Sequence, residues 1–223
     1  MTNSKVKRSP QDQYITRPQL CRAVVARLVE EDLIEWGRTQ RILEPQVGTG
    51  NWIKALRQLE EKHSRSRRIS VAGVDMTIAP EKLQPHVDIL VAGDFTKLSG
   101  RKIDALGYWD VSLGNPPFST AEAHIRNELR MATVVSKLLR INFMGSIERV
   151  PFWKENPPHY MWPLIPRPTF LDWSGERIRD SQGRLGSDST EYAIFTWVTD
   201  KPYTGTQMDP LTWRQRIRYS FSG

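Results

Sequence analysis

Four apolar runs, separated by stretches of helical pattern, each end in a polar side chain: at Glu44, at Asp75, at Asp94 and at Asn115. Strands that alternate with helices bury both faces only in a parallel sheet covered on both sides. The polar ends then share one edge, the carboxyl edge, where open α/β sheets bind ligands. The pattern predicts a helix over 19–31, a helix from the glycine turn through Leu59, and a helix over 121–136. It places strand five at 138–143, a helix at 146–154, strand six at 160–165 and strand seven at 192–198, paired with strand six. No repeat, low-complexity tract or long linker divides the chain.

The fourth run leads straight into Asn115-Pro116-Pro117-Phe118. A proline in third place holds Pro116 extended and so fixes the direction of its carbonyl. Neither proline can donate a backbone N–H. The Asn115 oxygen and the Pro116 carbonyl can therefore accept both hydrogens of one planar amino group, and Phe118 offers a face to a flat ring. That suits methylation of an exocyclic or amide nitrogen. The competing reading is turn punctuation with Phe118 folded into the core.

A second signal upstream weighs against that bland reading. Glu44-Pro45-Gln46-Val47-Gly48-Thr49-Gly50 is neither a dinucleotide fingerprint nor a Walker loop. Gly48 and Gly50 permit a sharp turn and close approach of a ligand to the backbone, and Glu44 can meet a cation. Asp75 is placed to accept two ribose hydroxyls. Asp94 can accept from an adenine amino group with Phe95 beside the ring. A single Asp after a strand more often caps a helix or turn; three acids and an Asn-Pro-Pro-Phe on one edge are harder to dismiss.

Together these segments resemble the S-adenosylmethionine-dependent amino-methyltransferases, and most closely the phage-type DNA N6-adenine methyltransferases, from about Asp12 to Trp197. Two late segments select that group: Leu164-Ile165-Pro166-Arg167-Pro168-Thr169-Phe170 and Ser189-Thr190-Glu191-Tyr192-Ala193. The resemblance implies a class I methyltransferase fold: α/β, a Rossmann-like, mostly parallel seven-stranded sheet with helices on both faces and an antiparallel last strand. It implies a loose basic arm at 1–11, a methyltransferase domain at 12–200 and a basic, aromatic extension at 201–223. S-adenosylmethionine would be held by Tyr14, Thr16, Glu44, Pro45, Gly48, Gly50, Asp75, Asp94, Phe95 and Asn115. Asn115, Pro116, Pro117 and Phe118 would be catalytic. Gln46 is bulkier than the family's usual residue, and Arg17 separates Thr16 from Pro18 where a direct Thr-Pro is commoner.

The implied activity is methyl transfer to the N6 amino group of a flipped adenine in DNA, probed against three alternatives. These are an RNA methyltransferase acting on adenine N6 or guanine N2, a protein-glutamine methyltransferase, and a non-catalytic subunit of the same fold. The chain of 223 residues carries 32 Lys and Arg against 25 Asp and Glu, a net charge of +7. Such a charge favours a polyanion with salt-dependent affinity, and occurs also in proteins that never touch nucleic acid. Arg167, Phe170, Trp173, Arg177, Arg179 and Arg184 lie in a loop that reads either as a nucleic-acid contact or as a solvated hairpin. Residues 213–219 read as a basic edge strand or a basic tail.

Cys21 is the one cysteine, which leaves no internal disulfide or cysteine zinc site and fits a small core residue. The four histidines lack metal-ligand spacing, so no metal is expected. With no membrane-length apolar stretch and no signal sequence, the expected location is the cytoplasm.

Overall fold

The computed structural model describes residues 14–35, 38–63, 69–76, 83, 86–98, 107–172, 174–178 and 190–214. The arm at 1–11 and most of the basic segment at 213–219 lie outside the described residues.

The sheet contains β1 (Gln40–Glu44), β2 (Ile69–Asp75), β3 (Ile89–Ala92), β4 (Trp109–Gly114), β5 (Ala132–Arg140), β6 (Tyr160–Ile165) and β7 (Tyr192–Val198). Their order is β3-β2-β1-β4-β5-β7-β6. The first five strands are parallel neighbours, and β7 runs antiparallel to both β5 and β6. The chain moves outward from β1 to β3 and then returns to β4, beside β1. This reversal splays the connections after β1 and β4 apart and opens a crevice at the carboxyl edge.

Helices cover both faces. α1 (Pro18–Glu30) and α2 (Asn51–His63) pack on one side; α3 (Ala121–Glu128) and α4 (Val150–Glu155) belong to the other. α1 begins with a proline in its first turn, where the missing N–H costs nothing. Its buried Leu20, Cys21, Val24, Val25 and Leu28 form one stripe, which joins Ile53, Leu56, Val111, Leu138 and Ile194 in the first core. Leu43, Phe95, Trp109, Ile125, Val135, Phe152 and Phe195 form the second. Away from the crevice, the buried Arg57 ties α2 to β2: it donates to the Ile69 carbonyl at 2.7 Å and pairs with Glu60 at 2.8 Å.

Several boundaries differ from expectation. The helix expected over 121–136 stops at Glu128 and β5 begins at Ala132. Thr133, Val134 and Val135 are β-branched residues that pack well on a pleated surface, and β4 and β7 supply ladders on both sides. Beyond Arg140 the chain turns into a 3₁₀ segment, Ile141–Gly145, rather than continuing as strand. The helix expected from Ser146 is divided into a 3₁₀ turn, Ile147–Arg149, and α4. Two short strands, β8 (Gln207–Met208) and β9 (Leu211–Thr212), extend the sheet beyond seven, each parallel to β6. Trp213 then closes onto the same edge: its backbone N–H donates to Ile165 and its indole to the Pro166 carbonyl at 2.6 Å.

One contact sets how closely the turn after β1 lies against β2. The Val47 N–H donates to the Val74 carbonyl at 3.1 Å, and a Cβ on Gly73 would fall 2.4 Å from Val47 Cγ2 and 3.3 Å from Leu90 Cδ1. Gly73→Ala is expected to destabilise the fold by about 1–3 kcal/mol through overpacking. Gly145→Ala, whose Cβ meets nothing within 4 Å, should leave the unfolding midpoint close to wild type. Urea denaturation of both variants checks this.

Candidate active site

The carboxyl ends of β1 to β4 line an open cavity. Tyr14 and Ile15 close it from the N-terminal segment. Its walls come from Pro45, Gln46 and Gly48 after β1, Asp75 and Met76 after β2, and Gly93 to Phe95 after β3. Asn115, Pro116, Pro117 and Phe118 follow β4, and His124 reaches in from α3.

The turn after β1 is built by glycine. Gly48 has φ 51° and Gly50 φ 73°, left-handed conformations that other residues adopt with strain. Asp75 locks this turn: one of its carboxylate oxygens accepts from the Gly48 N–H at 2.7 Å. The acid at the end of β2 thus has a structural task as well as a place on the cavity wall.

Asp94 likewise secures a turn and lines the cavity. Its Oδ1 accepts from the Thr96 N–H at 3.0 Å and the Thr96 hydroxyl at 2.6 Å, capping the 3₁₀ turn Phe95–Lys97. The Thr96 hydroxyl, more than the nearby Lys97, holds this carboxyl below its usual range. Phe95 is almost wholly buried, its ring stacked on the His124 imidazole at 5.7 Å and 12°.

Asn115 is oriented by the N-terminal segment. Its Nδ2 donates to the Tyr14 carbonyl at 2.9 Å. The amide can satisfy that bond in only one sense, which turns Oδ1 the other way, buried and without a hydrogen-bond partner. Phe118 lies against Tyr14 at 5.9 Å and 29°, with Tyr192 tilted beside it at 5.8 Å. The Arg140 guanidinium sits 4.5 Å from the Phe118 ring centroid and donates to the Tyr192 hydroxyl at 3.1 Å.

Beneath the cavity floor lies a buried polar network. Lys137 has no exposed surface and is ion-paired with Glu128, itself fully buried. Glu128 also accepts from the Ser112 hydroxyl at 2.6 Å and from Gln46 Nε2 at 3.4 Å. Gln46 Nε2 approaches His124 Nδ1 at 2.5 Å. With Nε2 as donor to both, His124 Nδ1 is the acceptor and its proton sits on Nε2. Burial, reinforced by the Lys137 charge and opposed by Asp94, lowers the His124 pKa to about 4. Gly114, at φ 150°, crosses directly over this network; a Cβ there would lie 3.2 Å from Gln46 Oε1 and 3.6 Å from Lys137 Nζ.

Glu44 belongs to this buried layer. It has no exposed surface, and both its oxygens lack hydrogen-bond partners. Burial pushes its pKa well above the usual carboxylate value, against the pull of Lys137 and with added repulsion from Asp75.

Of the cofactor residues expected from sequence, Tyr14, Pro45, Gly48, Asp75, Asp94, Phe95 and Asn115 line the cavity. Thr16, Glu44 and Gly50 stand behind it. Thr16 contributes its carbonyl, which accepts from Asn51 Nδ2 at 2.8 Å. Phe170 is buried against Tyr14 and Tyr192, with ring centroids at 5.7 Å and 5.1 Å, so it presents packing rather than an open face. Arg167 is half exposed and pairs with Glu191 at 2.5 Å. Arg177 bridges to Leu171, while Trp173, Arg179 and Arg184 lie outside the described residues. Sequence reasoning missed His124, Glu128, Lys137 and Arg140. His124 and Glu128 are four apart on the helix after the tetrapeptide, and hence on one face. Lys137 is a charge set between the apolar pairs Val134-Val135 and Leu138-Leu139 of β5. The unusual Gln46 has its explanation in the same network. Among the described residues, no group of His, Cys, Asp and Glu could hold a metal ion, and no helix is long and apolar enough to cross a membrane.

No protein-family model and no curated protein sequence matches the chain. Solved structures do. A protein from Listeria monocytogenes, assigned to the class I S-adenosylmethionine-dependent methyltransferases, superposes with TM-score 0.65 at 17% identity, covering 91% of this chain and 67% of that one. The methyltransferase subunit of a type I restriction-modification system from Streptococcus thermophilus gives 0.62 at 13% identity, over 88% of this chain. A Pyrococcus horikoshii protein assigned as an RNA methyltransferase gives 0.55 at 15%, over 89% of this chain and 92% of that one. The chain has the class I methyltransferase fold. It spans only 47% of the restriction-system subunit's length.

The neutral, buried His124 has a pH consequence. Its folded pKa lies below the unfolded value of about 6.5, so the unfolded chain binds the extra proton first. The stability this group contributes is complete above pH 6.5 and is lost as pH falls towards 4. Glu44, with its raised pKa, acts in the opposite sense above the ordinary carboxylate value. The His124 contribution, at most about 3 kcal/mol, is therefore read as the difference between wild type and His124→Gln. That difference should shrink steadily from pH 7 to pH 5 in chemical denaturation.

Proposed function

We propose that this chain is an S-adenosylmethionine-dependent methyltransferase acting on the N6 amino group of adenine in DNA. The observation that carries the proposal is the Asn115 amide: its N–H is committed to the Tyr14 carbonyl and its oxygen is left as an unpartnered acceptor at the carboxyl edge.

The residues around the cavity fit the cofactor. Asp75 and Asp94 line one cavity with Phe95 and His124; in this reading Asp75 would accept from the ribose hydroxyls and Asp94 from an adenine amino group, with the two rings as the wall beside it. A buried carboxyl without partners, Glu44, lies under the same edge and suits the cationic methionine end. S-adenosylmethionine supplies a methyl group already activated by its positive sulfur.

The chain's own task is alignment of the acceptor. An exocyclic amino nitrogen is a poor nucleophile because its lone pair is delocalised into the ring. Asn115 Oδ1 and the Pro116 carbonyl, accepting one hydrogen each, draw the nitrogen towards a tetrahedral geometry and localise the lone pair. Preorganised acceptors of this kind, with exclusion of water, supply the rate enhancement. In duplex DNA the amino group is paired, so the base must leave the stack at a cost of a few kcal/mol.

DNA is preferred because the motifs resemble the phage DNA enzymes and because one structural neighbour is a restriction-system methyltransferase subunit. RNA is the second reading, favoured by the similarity to the Pyrococcus protein. Incubation with labelled S-adenosylmethionine and separate DNA, RNA and protein pools decides between them. Label is expected in DNA, as N6-methyladenine on nucleoside analysis.

Two variants separate chemistry from binding. Asn115→Ala should bind S-adenosylmethionine nearly as wild type while transferring methyl groups about 100–1,000-fold more slowly; a wild-type rate would end the amino-methyltransferase reading. Asp75→Ala should weaken cofactor binding by about 1–3 kcal/mol, read by calorimetry, since it removes an acceptor and unpins Gly48.

A further inference from the structure

Two guanidinium groups from distant parts of the chain meet at one hydroxyl, and the charge of a third is felt beside them. Arg17 Nη1 and Arg214 Nη2 both donate to Thr169 Oγ1, at 3.2 Å and 3.3 Å. Arg177 is brought alongside by the ladder Ile15–Leu171–Arg177, and its Nε is buried without a hydrogen-bond partner. The charges of Arg177 and Arg214 are felt at Arg17, whose hold on its proton is weakened first by burial and then by these two neighbours.

A neutral hydroxyl cannot offset three positive charges. Elsewhere arginines find acids: Arg27 pairs with Glu31 and Asp209, Arg57 with Glu60 and Asp88, and Arg126 with Glu122 and Glu155. Among the described residues no carboxylate pairs with Arg17, Arg177 or Arg214. Like charges held together in this way are disfavoured unless an anion joins them, and guanidinium forks match the oxygens of a phosphate.

We propose that Arg17, Arg177 and Arg214 form a clamp for one backbone phosphate of the nucleic-acid substrate. The inference rests on the methyl-transfer reading above for the identity of that substrate. Position supports a phosphodiester: Arg17 follows shortly after Tyr14, whose ring lies against Phe118, and Ile15 of the same segment lines the cavity. A clamp here would grip the strand beside the site that receives the base. Arg17 and Arg214 come from the N-terminal segment and the C-terminal extension, so both ends of the described chain serve one contact.

The test is duplex binding by fluorescence anisotropy across a salt series, for wild type and the double variant Arg177→Gln/Arg214→Gln, which leaves the start of α1 untouched. The variant should bind about 5–10-fold more weakly at low salt, with the slope of log K against log salt reduced by about 1. S-adenosylmethionine affinity should be unchanged. A single-stranded RNA arm showing the larger loss would move the clamp to RNA without removing it. Unchanged duplex and RNA affinity and slope, in a wild-type protein that methylates DNA, would overturn the clamp while leaving the methyl-transfer reading intact. A reduced slope in a protein that methylates no nucleic acid would do the reverse. Inorganic phosphate binding by calorimetry, lost in the variant while nucleic-acid affinity stays constant, would make this a small-anion site and overturn the assignment.

Discussion

A full positive charge with no exposed surface lies beneath the carboxyl edge of the sheet, and the site above depends on how Lys137 is compensated. Removing an ammonium from water costs several kcal/mol unless a partner of good geometry offsets it. Glu128 is that partner, and Ser112 and Gln46 occupy its remaining lone pairs. Burial raises Glu44, the second acid in the layer, well above the usual carboxylate range, against the pull of the same ammonium and with the repulsion of Asp75. The same ammonium disfavours a proton on His124. β5 carries the lysine into place between β4 and β7, with both of which it is paired. Under the methyl-transfer reading, a cationic cofactor approaching this layer would add a second opposite charge beside Glu44.

The cavity also depends on segments that cross from far along the chain. Tyr14 orients Asn115 through a backbone carbonyl, Ile15 pairs with Leu171 through two backbone hydrogen bonds, and Asn51 holds the Thr16 carbonyl. The N-terminal segment is therefore part of the cavity wall as well as the lead into α1. Its counterpart is the strip after β6, which contributes Phe170 to the aromatic cluster and Thr169 to the arginines.

Much of this architecture was legible in the sequence because the signals were local. The ends of β1, β2 and β4, and the whole of β6 and β7, follow from apolar runs that stop at a polar residue or a proline. The start of β5 was not, because Ala132 follows a helical pattern without a Gly or Pro between them; only pairing with β4 and β7 decides for strand. Among the residues that line the cavity, those that speak through their own chemistry were legible: Asn115, Asp75 and Gly48. Those that act through partners were not. Gln46 looked like a departure from pattern, and its reason is His124 and Glu128, about eighty residues away. The roles of Asp75 and Asp94 were each half seen, since a carboxylate at a strand end can both secure a turn and face a ligand.

The last element of the tetrapeptide shows how packing constrains chemistry. Phe118 was expected either to stack on a flat substrate ring or to fold into the core. Its ring lies against Tyr14, with Tyr192 at its side and the Arg140 guanidinium over it. A cation above an aromatic face is attracted by the ring's quadrupole, and Arg140 is held there by its bond to the Tyr192 hydroxyl. The ring is thus fixed before any ligand arrives, and its orientation is set from strands β5 and β7 rather than from the loop that bears it. In the proposed reaction, a base entering beside Asn115 would meet an aromatic surface already immobilised, so that little side-chain freedom is lost on binding. In the proposed reaction, specificity for a planar amino-bearing ring would come from this surface together with the two acceptors at Asn115 and Pro116, and the phosphate clamp proposed on the adjoining strip would align the strand that carries it.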